Sequence, residues 1–311
     1  MIELIPFIAA ALIAFSIGSN DTSNAFGISI GSGALTFRKA IYLLGLLVLL
    51  GALLQGQKVM KTVGSDLVDL NLQILSLSLL TSALAILLSN WKKLPVSSHQ
   101  AIIGSLVGSG AAFGAAVDSG TLINIVQSWL ISPIGAFFFS ILTYKTMEQT
   151  LSKLPMFEIE RYLRKLLLIA GMIIAYNTGA NELATALGPV VYYGLLTPIQ
   201  AAIVGSFLIW LGAMMLSGRV IETVGKGITS LDAFSGFAAQ FGAGVSVLIF
   251  TSMGMPVSTT YCIIGGIAGV GVLKGVGTVR TKLLRRILAS WVPTPLSAFL
   301  VCYLVGKLIL I

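Results

Sequence analysis

Two acidic side chains stand where an apolar chain tolerates them least. Asp21 and Glu182 lie inside the segments Gly18-Ser19-Asn20-Asp21-Thr22-Ser23-Asn24-Ala25-Phe26-Gly27 and Gly179-Ala180-Asn181-Glu182-Leu183-Ala184-Thr185-Ala186-Leu187-Gly188, each in the middle of a long apolar run. A carboxylate in hydrocarbon costs about 3 kcal/mol on insertion scales, so each must face a protein interior and a partner. Asn20, Asn24, Asn181 and Thr185 offer neutral oxygens beside them. Carboxylate, amide and hydroxyl oxygens together make a site for a hard cation such as sodium. The plainer alternative is a buried carboxylate hydrogen-bonded for helix packing; its recurrence with an asparagine alongside favours ion or ligand binding.

A second pair of motifs is rich in hydroxyls. Ser97-Ser98-His99-Gln100 follows Pro95-Val96, and Ser258-Thr259-Thr260 follows Pro256-Val257, each opening a further apolar segment. Hydroxyls and free amide N–H groups just after a proline, at a helix start, are placed to donate to an oxyanion. Neither motif contains lysine or arginine. An anion bound there would need its charge balanced by co-bound cations, which is the arithmetic of symport. His99 is the single histidine; it either carries or senses a proton or makes a hydrogen bond at a helix start.

The elements that must hold these groups are membrane helices. The chain has 311 residues, of which 56% are hydrophobic and 10% charged, with mean hydropathy +0.98. Soluble domains carry about 25% charged residues, so an ordinary water-facing surface is excluded. Apolar runs long enough to approach a bilayer crossing fall at 3–36, 40–57, 72–91, 96–117 and 121–144, then at 166–196, 199–217, 232–251, 257–273 and 287–308. Segments 96–117 and 257–273 either cross or turn back as re-entrant hairpins. The formal charge of +8 does not read as a nucleic-acid surface, because the basic residues punctuate apolar runs. With the charged segment 146–165 in the cytoplasm, all of the 19 Lys and Arg except Lys58, Lys61 and Lys307 fall on the inner side. That bias puts both termini outside. Cys262 and Cys302 lie in apolar stretches and suit packing, while the opening run 2–17 lacks a basic n-region and belongs to the mature chain.

The chain is one motif set used twice. The two acidic motifs are offset by 161 residues, as are Thr62-Val63-Gly64 and Thr223-Val224-Gly225, and Pro95-Val96-Ser97-Ser98 and Pro256-Val257-Ser258-Thr259. Ser128-Trp129 returns as Ser290-Trp291 with a one-residue slip. About five membrane segments per copy, an odd number, turn the second copy upside down. The expected fold is therefore an all-α integral membrane protein with two inverted-topology repeats, 1–145 and 166–311, joined by a cytoplasmic linker at 146–165. Gly18, Gly27, Gly179, Gly188 and Pro189 would interrupt the motif helices, and broken helices at the midplane bind ions in secondary transporters. The stripes Gly104 to Gly108 and Gly265 to Gly269 suit close helix packing.

These motifs resemble the inorganic phosphate transporter (PiT) family, which includes the sodium–phosphate symporters of solute carrier family 20 and is marked by duplicated Gly-Ala-Asn-Asp-Val-Ala-Asn-Ala and Pro-Val-Ser-Thr-Thr-His motifs. Gly18, Asn20, Asp21, Asn24, Ala25 and Gly27 fit the first motif, and Gly179, Ala180, Asn181, Ala184, Ala186, Gly188 and Pro189 its second copy. Pro95, Val96, Ser97 and His99 fit the other motif, as do Pro256, Val257, Ser258, Thr259 and Thr260. Three positions depart: Glu182 replaces an aspartate, Thr185 an asparagine, and Tyr261 stands where a histidine is common. The resemblance implies a plasma-membrane symporter, not an enzyme, that imports inorganic phosphate by alternating access with sodium as co-transported ion and no other cofactor. It places Asn20, Asp21, Asn24, Asn181, Glu182 and Thr185 on sodium and Ser97, Ser98, His99, Gln100, Ser258, Thr259 and Thr260 on phosphate. It also implies a homodimer in the lipid bilayer, with no nucleic-acid partner. Proton coupling is the nearest alternative and an ion channel a more distant one.

Overall fold

A computed structural model describes residues 3–91, 97–151, 153–228, 232–275 and 291–310, with backbone alone for 218–228. Pro95, Val96, Ser290 and the inner-loop residues Lys92, Lys93, Arg280, Lys282, Arg285 and Arg286 lie outside the described residues, as do the side chains of Arg219 and Lys226. The first half builds α1 (Leu4–Gly31), α2 (Phe37–Lys61), α3 (Leu72–Trp91), α4 (Ser98–Phe113) and α5 (Ser119–Leu151). The second builds α6 (Met156–Asn177), α7 (Ala184–Tyr192), α8 (Pro198–Ile228), α9 (Ala233–Ser252), α10 (Thr259–Lys274) and α11 (Pro293–Ile309). A π-helical turn Thr62–Asp66 extends α2, and another, Thr178–Leu183, joins α6 to α7. Seven helical stretches among the described residues are long and apolar enough to cross a bilayer. Their outward faces expose residues such as Leu54, Leu84, Phe138 and Met215, while Asp21, His99, Asn181 and Glu182 are buried. Polar groups inside and apolar groups outside is the arrangement hydrocarbon surroundings require.

The sequence repeat is also a structural repeat. Helices α2 and α8, α3 and α9, and α4 and α10 each begin 161 residues apart. The same local chemistry sets the boundaries. Asn71 Oδ1 accepts from Ile74 N at 2.8 Å at the start of α3, and the equivalent Asp232 accepts from Ser235 N at 2.9 Å at the start of α9. Gly114 and Gly275, again equivalent, end α4 and α10 with φ of 74° and 100°, a region that favours glycine. Contacts between the halves are reciprocal: Gly18 lies against the Ile209 carbonyl and Gly179 against that of Val48. A Cβ at either glycine would run into that backbone. Residue i touching the copy of j while the copy of i touches j is the signature of a pseudo-two-fold axis.

Helices α3 and α4 form a hairpin rather than two independent crossings. The 16 residues of α4 span about 24 Å against a hydrocarbon core of about 30 Å. The open end of the hairpin is tied where Asp118 N donates to Leu67 O at 3.0 Å, beside an antiparallel bridge between Val68 and Val117. Its other end, at Asn90 and His99, reaches the acidic motifs. Hairpin two, α9–α10, is built alike, and its open end is tied by the ion pair of Lys274 with Asp232. Segments 96–117 and 257–273 are thus return arms.

Three features differ from expectation. First, α1 runs unbroken through Gly18 and Gly27, and Gly18 admits the Ile209 backbone without breaking the helix. Only the second copy is distorted, by its π turn. Second, most of 146–165 is helical: α5 continues to Leu151 and α6 begins at Met156. Third, the repeats are units of sequence and not separate packing bodies. Helix α5 packs on hairpin two, α11 on hairpin one, and α1 on α8. The glycine stripes serve that exchange, Gly104 lying on Pro295 and Gly265 on Pro133.

Candidate functional site

The site forms where α1, the 178–183 turn and the tips of both hairpins meet. On α1, Asn24 lies one turn beyond Asp21 and donates to Asp21 Oδ1 at 2.7 Å and to Thr260 Oγ1 at 3.2 Å, tying α1 to the first turn of α10. The carboxyl groups of Asp21 and Glu182 are buried neighbours, close enough to act on one another. These two residues are equivalent by the repeat, so the pair lies on the pseudo-two-fold axis. Two ionised carboxylates are acceptors only and repel; a proton or a metal cation between them makes such closeness favourable. Thr259 Oγ1 sits beside Glu182, buried and short of a hydrogen bond of ordinary geometry to any described residue.

Asn181 is fully engaged. Its Nδ2 donates to Thr251 Oγ1 at 2.7 Å and to Met255 O at 2.9 Å, while Oδ1 accepts from Val257 N at 3.1 Å and pairs with His99 Nε2 at 2.8 Å. The two Nδ2 bonds fix the amide orientation, so His99 carries a proton on Nε2 and donates. Asn181 therefore pins the tip of hairpin two and the first turn of α4 to the π turn. The equivalent Asn20 makes the equivalent bond, Nδ2 to Asn90 Oδ1 at 2.6 Å. Thr185 Oγ1 is spent on the Asn181 carbonyl of its own helix at 2.8 Å.

The hydroxyl motifs meet at the helix starts. Ser97 precedes α4, its Oγ buried without a hydrogen bond to any described residue, and Ser258 precedes α10, its Oγ accepting from Tyr261 N at 3.4 Å. Ser98 is half-buried on the first turn of α4. Gln100 Oε1 accepts from Tyr261 OH at 3.0 Å, which joins the first turns of α4 and α10 across the axis. Two helix N-termini, each with unsatisfied N–H groups, thus converge beside two carboxyls.

Every proposed site residue falls within this region, but two are occupied differently from expectation: Asn181 is saturated by protein partners, and Thr185 bonds along its helix. Sequence reasoning missed Asn90, Thr251, Gln240 and a role for Tyr261. Asn90 and Thr251 stand 161 residues apart and were detectable through the repeat. Gln240 Nε2 reaches Asn24 O and Ala25 O at 2.8 and 2.6 Å, with no counterpart in the first half to flag it. Among the described residues no cluster of three His, Cys, Asp or Glu side chains forms. A cation held at the two carboxyls would be completed by neutral oxygens, the donor set of a hard ion rather than of zinc or copper. Cys262 and Cys302 are buried free thiols.

An all-helical membrane protein with hairpins converging from two related halves on buried carboxyls and hydroxyls is a membrane transporter by class. The sequence profile of the phosphate transporter family matches residues 17–302, and the chain belongs to that family. It is 37% identical over 296 residues to a Methanocaldococcus jannaschii protein named "Putative phosphate permease MJ0630", covering 95% of this chain and 94% of that one. It is 29% identical over 314 residues to the "Sulfate permease CysP" of Bacillus subtilis, covering 99% and 88%. A solved structure described as "The sodium-dependent phosphate transporter" superposes with TM-score 0.83 at 25% identity, covering 99% of both chains.

Proposed function

We propose that this chain is a symporter that imports inorganic phosphate with sodium by alternating access. One observation carries the reading: the Asp21 and Glu182 carboxyls meet on the axis beside the converging starts of α4 and α10. The carboxyls, with Asn24 and Asn20, hold the cation; Ser97, Ser98, Ser258, Thr259, Thr260 and Gln100 donate to the anion. No Lys or Arg is among these residues, so the cation compensates the anion and neither ion binds well alone. That mutual dependence is a coupling free energy between sites, which symport needs. His99 holds hairpin one against Asn181 and reaches phosphate through its helix start. No covalent step is called for, and the protein acts as a transporter rather than an enzyme. The reading includes a plasma-membrane homodimer with both termini outside, in keeping with the distribution of basic residues.

The sulfate permease among the relatives supports a second reading, in which another tetrahedral oxyanion is the cargo. Uptake of labelled phosphate and sulfate into proteoliposomes, under an inward sodium gradient or an inward proton gradient imposed separately, tests both. Sodium-driven phosphate accumulation is the expected result. Accumulation with protons alone would overturn sodium coupling, and sulfate-selective uptake would overturn the choice of anion.

A further inference from the structure

Tyr261 has no part in the mechanism above, although it lies at its centre. Its hydroxyl donates to Gln100 Oε1 at 3.0 Å, and both side chains are buried. Its ring packs on Trp291 with centroids 5.0 Å apart. The terminal amide of glutamine has one accepting end and one donating end, interchanged by a half-turn of its last torsion. For a residue beside an oxyanion that choice matters: the donating end attracts and the carbonyl end repels. A tyrosine hydroxyl can donate to the carbonyl end or accept from the NH2 end; here it donates, so Oε1 is the end it holds. It turns the NH2 group of Gln100 away from Tyr261, and among the described residues this group makes no hydrogen bond.

We infer that Tyr261 is a positioning residue for anion binding: its hydroxyl holds the Gln100 amide so that the NH2 group faces the transported oxyanion between the starts of α4 and α10. The inference rests on the proposed oxyanion site, in which Gln100 is a donor, and adds the group that aims that donor. It also explains how a chain with tyrosine where its family resemblance suggests histidine still orders the site, since a phenol across the axis does work that no residue of the first half duplicates.

The test is the phosphate KM and kcat of wild type, Tyr261→Phe, Gln100→Leu and the double variant in proteoliposomes. Tyr261→Phe keeps the ring on Trp291 and removes only the hydroxyl. Losing one well-aimed donor to an anion raises KM about tenfold, with kcat changed by less than about twofold. Because Tyr261 acts through Gln100, the double variant should be no worse than Gln100→Leu alone. Thermal stabilisation of the purified variants by inorganic phosphate reads the same affinity without turnover. A wild-type KM in Tyr261→Phe, or effects of the two substitutions that multiply in the double variant, would overturn the inference while leaving phosphate transport intact. Wild-type protein that neither binds nor carries phosphate would overturn the oxyanion site and this inference with it.

Discussion

Asn20 and Asn181 occupy equivalent places in two copies of one motif, yet the structure uses them differently. Both make the matching bond, Asn20 to Asn90 and Asn181 to Thr251; the first-half counterparts of Met255 and Val257 lie outside the described residues, but His99 bonds Asn181 whereas its counterpart Thr260 is taken by Asn24. The helices that carry them differ in the same sense: α1 is regular through its motif, and the second copy passes through a π turn. Such turns are rare and cluster at functional sites. A duplicated scaffold therefore does not give duplicated chemistry. In the second copy Asn181 takes the start of α4 through His99, whereas in the first it is Asn24 that takes the start of α10 through Thr260.

The largest effect should come from the pair on the axis. Asp21→Asn and Glu182→Gln should each reduce sodium-driven phosphate uptake by about a hundredfold or more, on the scale of a lost charged interaction in a buried site. Size-exclusion profiles in detergent should stay unchanged, and wild-type uptake in both variants would refute the cation site. The asymmetry between copies comes next. Asn181→Ala should cost about 3 kcal/mol because it strands buried partners on three elements, and Asn24→Ala, which cuts the tie of α1 to Thr260, about 1 kcal/mol. Thermal unfolding in detergent would compare them, and equal losses would break the contrast between the two ties.

The backbone packing, in contrast, should behave symmetrically. Gly18→Ala and Gly179→Ala each drive a methyl into a facing carbonyl and should destabilise by similar amounts, about 2 kcal/mol. A clear inequality would mean that the pseudo-two-fold axis is only approximate at the helix crossings. The smallest effect is expected at the open end of hairpin two. Lys274→Ala removes a partly exposed ion pair with Asp232 and should cost no more than about 0.5 kcal/mol in the same assay. Asp232→Ala should cost about 1 kcal/mol, because it also removes the cap on Ser235 N.

Much of the molecule was legible beforehand from particular residues. The constant offset between Asp21 and Glu182 and between Ser97 and Ser258 marked the repeat, and both pairs converge on the axis it implies. The Gly104 and Gly265 stripes marked helix contacts that exist. The helix interruption expected at Gly18 did not appear, because a small residue permits both a break and a close approach, and only the neighbouring helix decides between them. Ile209 and Val48 are distant in sequence from the glycines they cover.

Composition, periodicity and repetition therefore determined the class of fold, the duplication and which side chains are too polar to face lipid, because these follow from local cost and need no knowledge of neighbours. Only the tertiary structure decided that α4 and α10 are return arms, that the halves exchange their last helices, and that His99 is taken by Asn181 while its counterpart Thr260 is taken by Asn24. Each of these depends on which distant group fills a hydrogen-bond capacity or a gap, and hydrogen bonds are spent by geometry rather than by residue type.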